Sequence, residues 1–399
     1  MSAPVVSLRR LATPLVSSPF DEPAVPPELE ATLAAVCDDA VDTAALVRGR
    51  TVYVKPNLNF VAGASSPFAP TDPRVIVALC AVLRRHGAAR IVLGEKPGQG
   101  RGSAAAYALL RRFALPQSVA CLDLDAEPRV TVASRTRLVA PALALPRPYL
   151  EADVVIDLAK LKTHTLTAVS LGMKNLFGLL RDEEKMRHHN EDIHPKLVDL
   201  LSVRRPDLTI LDGLVGLEGQ GPLFGTGKPL GLLIASADCV AADAAAAHVM
   251  GFEAAEIPHL RLAAEHGLGE LRQGVMIFPA LRPAAVRAPF TRGDLWANPV
   301  PTVEVVWGQG VPLGYANGVS HSLERLAVEG RRPAPTRVYV GRCEARPAGP
   351  AVIVFGDVTA RSLAVDGARV IPGHPPRAFE LYRVLADDGA AAAPWKELP

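Results

Sequence analysis

Lysine is the scarce cation of this chain: nine lysines stand against thirty-four arginines in 399 residues. Cysteine is scarcer still and never clustered. Cys37, Cys80, Cys121, Cys239 and Cys343 are solitary, and without a C-x-x-C neither an iron–sulfur run nor a zinc ribbon is written here. No iron–sulfur cluster is therefore expected, and scattered thiols fit a reducing compartment. An excess of charge of one sign is also lacking. A formal net charge of +2 with dispersed basic residues argues for no nucleic acid and no membrane surface as partner. No apolar run approaches the roughly 20 residues that span a bilayer. After Arg9-Arg10, LATPLVSSPFDEP is too broken by proline and charge for a signal peptide, so the chain reads as cytoplasmic. Three catalytic signatures are missing as well. There is no G-x-S-x-G elbow. EGQGPLFGTGKP lacks the phosphate-loop spacing, with Lys228 followed by Pro229, and GQGRGS lacks the third glycine of a dinucleotide fingerprint.

What remains is an alternation of short β-branched runs and amphipathic stretches. TVYVKPNLNF and ARIVLGEKPG read as buried strands, and between them Asp72-Pro73 opens a helix that stops at Gly87. AAAYALLRRFA is a helix, VACLDLD and ADVVIDLA are strands, and PALALPRPYLEA is a connector. A helix is expected near TAVSLGMKNLFGLL and another in HPKLVDLLSVRR. DLTILDGLVG and LGLLIASAD are strands, EGQGPLFGTGKP is a loop, and CVAADAAAAHVMG and IPHLRLAAEHGLG are helices. This rhythm predicts an α/β fold, a mainly parallel sheet with helices on both faces. After about residue 285, prolines and isolated strands such as TVEVVWG, RVYVGRC and AVIVFGD predict a smaller C-terminal β-rich region. The expected division is 1–49 as an N-terminal extension packing on the core, 50–285 as the α/β core, and 286–399 as the smaller lobe.

The chemistry is concentrated in DLAKLKTHTLTAVSLGMKNLFGLLRDEEKMRHHNEDIHPK, residues 157–196, which holds five of the nine lysines (Lys160, Lys162, Lys174, Lys185, Lys196) and His164, His188, His189 and His194. Where arginine serves as the general surface cation, clustered lysine points to use of an ammonium that can lose its proton, and histidine adds exchange near neutral pH. The plainer alternative is a solvated basic loop, against which the interspersed Asn, Gly and apolar residues argue. In open parallel sheets ligands collect at the carboxyl ends of the strands. Lys55 and Asn57, Glu95 and Lys96, Asp157 with Lys160 and Lys162, Asp212, and Asp238 all close predicted strands. Asp243, one helical turn after Cys239, faces either a neighbouring helix or a ligand.

Together these groups suit a small anionic metabolite bearing carboxylate or phosphate. The expected enzyme is of isomerase or lyase type. His164, His188, His189 and Lys162 do acid–base chemistry, and Lys55, Asn57, Lys160, Lys174, Asn175 and Asp212 hold the substrate or a developing enolate-like anion. One alternative is a metal-dependent hydrolase or oxygen-using enzyme, with iron, zinc or nickel on His188, His189, His194 and a carboxylate such as Glu191 or Asp192. Another is a metabolite-binding protein without catalysis. The cofactor is unknown, with room for a divalent metal, and a homo-oligomer is compatible with everything above.

VKPN at 54–57, TDPRVIVALCAVLRRHGAARIVLGEKPG, ADVVIDLAKLKTHTLTAVSLGMKNLFGLL, PDLTILDGLVGLEGQGPLFGTGKP and ASADCVAADAAAAHVMGF, in this order over about residues 50–270, resemble the family called domain of unknown function 362. The resemblance implies an α/β fold and matches Lys55, Asn57, Lys162, His164, Lys174 and Asn175 to the family's recurring polar positions. Many relatives carry a ferredoxin-like iron–sulfur segment, whose cysteines this chain lacks. The order of elements is also faintly similar to lactate-racemase-type proteins, which implies proton or hydride movement at a carbon beside a carboxylate.

Overall fold

The structure, a computed structural model, describes residues 4–59, 66–98, 103–187, 193–271, 283–344, 351–363 and 367–386. The chain begins with β1 (Val6–Arg10), α1 (Pro27–Ala40) and α2 (Thr43–Val47), then alternates through β2 (Thr51–Pro56), α3 (Pro73–Arg85), β3 (Arg90–Glu95), α4 (Ala104–Arg112) and β4 (Ala120–Asp123). A ribbon of β5 (Arg129–Ala133) and β6 (Ala142–Pro146) and the short α5 (Arg147–Glu151) lead into β7 (Val154–His164), which turns back as β8 (Ala168–Ser170). Next come α6 (Gly172–Asn175), α7 (Asp182–Met186), α8 (Ile193–Val203), β9 (Leu208–Glu218), β10 (Thr226–Ser236), α9 (Cys239–Val249) and α10 (Pro258–Glu265). The last elements are β11 (Val303–Trp307), α11 (Leu313–Val328), β12 (Thr336–Val340), β13 (Val352–Phe355), α12 (Asp357–Ser362), β14 (Arg369–Ile371) and α13 (Ala378–Ala386). The described residues fall into two compact units. One lies within Met1–Phe60, Ser66–Asp182 and His194–Arg292, the other within Val61–Ser65, Glu183–Ile193 and Gly293–Pro399.

The sheet of the first unit runs β1-β10-β9-β7-β2-β3-β4, with β8 paired to β7. From β9 to β4 every pairing is parallel; β10 runs antiparallel to β9 and β1 antiparallel to β10. The chain therefore builds outward from β2 through β3 to β4, then returns to the other side of β2 as β7. That reversal falls at the carboxyl ends of β2 and β7, the place where open α/β sheets bind ligands.

The sequence explains the central elements. TVYVKP is β-branched and aromatic, and β7 is buried at every position, as a strand covered on both faces must be. Asp72 caps α3, accepting from Arg74 N at 2.9 Å, with Pro73 in the first turn. Alternation along the strands sends Val52, Val54, Val154, Ile156, Leu158, Leu208 and Ile210 into a core with α1, α3 and α4. Tyr53 goes to the other face, its ring edge-on to Tyr149 at 5.5 Å.

Several local expectations gave way to tertiary context. PALALPRPYLEA, read as a connector, contains β6 and α5. TAVSLGMKNLFGLL is not one helix: it is β8, α6 and a 3-10 turn over Leu176–Leu179, because Ala168–Ser170 pairs back on Lys162–His164. The TGKP end of the expected loop is strand, held in register by β9. VSLRR, unassigned from sequence, becomes the sheet edge by pairing with β10. The C-terminal strands are parallel, in the order β11-β12-β13-β14, and α11 and α12 run between them. The βα rhythm thus continues through the smaller β-containing region.

One buried carboxylate anchors the β5–β6 ribbon. Asp199 of α8 accepts from Ser134 Oγ (3.0 Å), Thr136 Oγ1 (2.6 Å) and the amides of Leu138 (2.8 Å), Val139 (2.8 Å) and Ala140 (2.7 Å). Burial alone would raise its pKa, but Thr136 and the three amides hold it below the usual carboxylate value. Its stabilisation is present above the unfolded carboxylate pKa and is lost as pH falls through the depressed folded value. Asp199→Ala is expected to cost about 3 kcal/mol, because several buried donors lose their acceptor. Chemical denaturation at neutral pH measures this, and a cost within error of zero would contradict it.

Candidate functional site

Lys55 closes β2 opposite Asp157 of β7. Its ammonium is fully buried and ion-paired with Glu95, the last residue of β3. It also donates to Pro56 O (3.0 Å) and Asn175 Oδ1 (3.1 Å). Asn175 in turn donates through Nδ2 to Lys55 O (3.0 Å) and Asp157 Oδ1 (2.8 Å). One amide side chain thus ties two strands, β2 and β7, to α6. Asp157 Oδ2 has no hydrogen-bond partner among the described residues. Burial pushes the Asp157 carboxyl well above the usual range, against the pull of Lys55 and Asn175.

Alternation places Lys160, Lys162 and His164 on the opposite side of β7 from Asp157. Lys160 sits beside Asp212 in the sheet and donates to its Oδ2 at 2.8 Å, while the same oxygen accepts Asp72 N at 2.7 Å. This is a closed ion pair that also holds the start of α3. Lys162 differs. Its ammonium, 1% exposed, donates to Ala69 O (2.7 Å), Pro222 O (3.2 Å) and Asn57 Oδ1 (3.4 Å), and among the described residues no carboxylate touches it. Burial first, then the charges of Lys174, Lys160 and Lys55, pull its pKa down to about 7 despite Glu95. Pro222 belongs to the GQGP run, whose Gly221 O accepts Thr165 N at 3.1 Å. His164 is buried, and its Nδ1 accepts Leu166 N at 3.1 Å, which leaves Nε2 to carry the proton of the neutral ring.

The KNLFG run supplies a platform. Lys174 Nζ lies 4.5 Å from the Phe177 ring centroid and Lys196 Nζ 5.9 Å from it, a cation–π arrangement. Gly178 is required by contact: a Cβ there would sit 2.3 Å from Glu95 Oε2. Of the residues expected at a metal site, His194 alone lies among the described residues. It stacks on His259 of α10, the two Nδ1 atoms 3.0 Å apart. Burial, then Lys174, lowers His194 to about 4, and burial lowers His259 further below the usual value, so both rings are neutral. His259 Nε2 is buried and has no partner among the described residues. An unpaired buried acceptor costs less than an unpaired N–H, so the proton between the rings is assigned to His259 Nδ1 and His194 carries its own on Nε2.

The structure therefore brings together Lys55, Asn57, Lys160, Lys162, His164, Lys174, Asn175 and Asp212 at one end of the sheet. His188 and His189 lie outside the described residues, as do Glu191 and Asp192. Among the described residues no group of three or more His, Cys, Asp or Glu could hold a metal ion. Asp238, expected at the same end, is at the other: β10 is antiparallel, and Ser236 pairs with Thr209 near the start of β9. There Asp238 caps α9, accepting from Val240 N and Ala241 N. Sequence reasoning missed Phe177, whose signal was its place between Lys174 and Gly178, and His259, a solitary histidine with no signal at all.

A family model described as Domain of unknown function (DUF362) matches residues 52–248, which bears out the resemblance over that segment. Thylakoid-associated protein sll1697 of Synechocystis sp. is 31% identical over 207 residues, 50% of this chain and 60% of that protein. The chain thus spans less than two thirds of that relative's length. Among solved structures, the lactate racemase apoprotein from Thermoanaerobacterium thermosaccharolyticum is similar with a TM-score of 0.36 and 10% identity, over 78% of this chain and 66% of that one. No helix among the described residues is long and apolar enough to cross a membrane.

With nine lysines in the chain, the ionisation of Lys162 can be read directly by NMR of protein labelled at lysine Cε. One resonance is expected to titrate at about 7 and to disappear in Lys162→Met. Between about 7 and the unfolded value of 10.5 the unfolded state binds more protons at this position, so its contribution makes stability rise with pH there. A spectrum in which every lysine titrates above about 9 would remove the basis for a special role.

Proposed function

We propose that the end of the sheet within the segment matching the domain of unknown function 362 is an enzyme active site for a small anionic metabolite bearing carboxylate or phosphate, with isomerase- or lyase-like proton transfer. The observation that carries this reading is Lys162, a buried ammonium held among the described residues by neutral acceptors and crowded by other cations. A purely structural buried lysine is ordinarily matched by a carboxylate, as Lys160 is by Asp212. An amine titrating near neutral pH is a competent general base or nucleophile.

In this reading the neutral amine keeps its bonds to Ala69 and Pro222 and gives up the one to Asn57 Oδ1, the longest contact at 3.4 Å, which frees its lone pair. It takes a proton from the carbon beside the substrate's anionic group. The positive charge of Lys174 stabilises the enolate-like anion that develops, and His164 acts as acid through Nε2. Lys55 and Lys160, already paired with Glu95 and Asp212, hold the strand ends in place rather than bind the anion, which revises the substrate-binding role expected of them.

The test is a panel of short 2-hydroxy, 2-oxo and phosphorylated carboxylic acids, followed by thermal shift and by deuterium uptake from solvent at the adjacent carbon. Binding and exchange are expected for at least one class, with exchange reduced about 100-fold or more in Lys162→Met. That variant removes a desolvated charge, so its Tm should stay within about 5 °C of the parent. Exchange at the parental rate in folded Lys162→Met would sink the reading. Binding without exchange by the parent would instead leave a metabolite-binding protein.

A further inference from the structure

α6 is four residues long, too short to persist on its own hydrogen bonds. Yet it carries Lys174, which flanks the Phe177 ring, and Asn175, which ties Lys55 to Asp157. Leu171, the residue before it, provides no side-chain cap. The first amides of a helix need acceptors from somewhere, and here they come from a different helix.

Asp243 of α9 is 0% exposed. Its Oδ1 accepts Gly172 N at 2.7 Å and its Oδ2 accepts Met173 N at 2.9 Å. Asn175 N then closes the turn on Leu171 O at 2.9 Å. The fit at the start of α6 is tight from both sides. A Cβ on Gly172 would lie 2.9 Å from Asp243 Oδ1, 2.9 Å from Asp157 Oδ2 and 2.8 Å from Thr209 Cγ2. Any shift of α6 at its start would carry Lys174 and Asn175 with it, and through Asn175 would loosen Lys55 and Asp157.

We propose that Asp243 is a positioning residue of this site: its carboxylate, out of reach of any substrate, clamps the first two amides of α6 and so sets where Lys174 and Asn175 stand. This rests on reading the sheet end as a site for an anionic metabolite. A cap that served stability alone would leave the ionisation of Lys162 unchanged. A positioning residue would not, because Lys174 is the neighbouring charge that lowers Lys162 most.

Asp243→Asn keeps the size of the side chain but presents one acceptor oxygen to two amides. In the full chain labelled at lysine Cε, this variant is expected to displace the Lys55 and Lys174 resonances. The Lys162 midpoint should rise by about half a pH unit or more as the repulsion from Lys174 weakens. A folded Asp243→Asn with all three resonances and the midpoint at parental values would overturn the proposal. Should that variant not fold, Gly172→Ala keeps the aspartate at 243 but presses a Cβ against its Oδ1 at the helix start, and the same shifts are expected and decide in the same way. The parent gives a further check: the Gly172 and Met173 amides should exchange as slowly as the sheet core, and exchange at loop rates would overturn the proposal whatever the variants do. A parent Lys162 at about 7 that Asp243→Asn leaves unmoved sinks the positioning role alone, whereas a parent with no low-titrating lysine sinks the reading of the site itself.

Discussion

A buried ammonium ion must recover in hydrogen bonds and opposite charge what it loses in hydration, and the end of this sheet is arranged around that demand. Lys55 and Lys160 meet it with Glu95 and Asp212. Lys162 meets it with backbone carbonyls from two loops and with Asn57. The partners of these three lysines come from β3, β9, α6 and the loops at Ala69 and Pro222. Satisfying the charges is therefore also what joins the strand ends to one another. The same demand explains the glycine and proline of GQGP: they bring the Pro222 carbonyl to Lys162.

Alternation along β7 divides the labour. Asp157 faces α6 and α9, while Lys160, Lys162 and His164 face the side of α3. Asn175 ties Lys55 to Asp157 on the first side, and the charge of Lys174 reaches the second, lowering Lys162 as it does His194 and His259. The arrangement separates two fixed pairs, which hold geometry, from one amine near its titration point, which can change its charge.

Much of this could be read from residues in a row. Lys55 and Asn57 at the end of a β-branched run, the lysines clustered around His164, and the sequence KNLFG all lie where their types suggested. Asp238 misled because a strand's direction within a sheet is not written in the strand: β10 carries the same β-branched and apolar character as a parallel neighbour would. The helix expected near TAVSLGMKNLFGLL is only four residues long, Gly172–Asn175, for a related reason. Its apolar spacing fits a helix, but pairing with β7 claimed the first part and the Asp243 clamp restarted the chain at Gly172.

The sequence by itself determined the α/β class, the strand ends that carry ammonium and amide groups, and the absence of clustered cysteine ligands, because these follow from side-chain type and local periodicity. Only the tertiary structure decided which partners Lys55, Lys160 and Lys162 find, which histidines stack, and which remote aspartate caps a four-residue helix. Those outcomes depend on distances between residues tens to more than a hundred positions apart, and pair energies fall steeply with distance and burial. No local pattern encodes them.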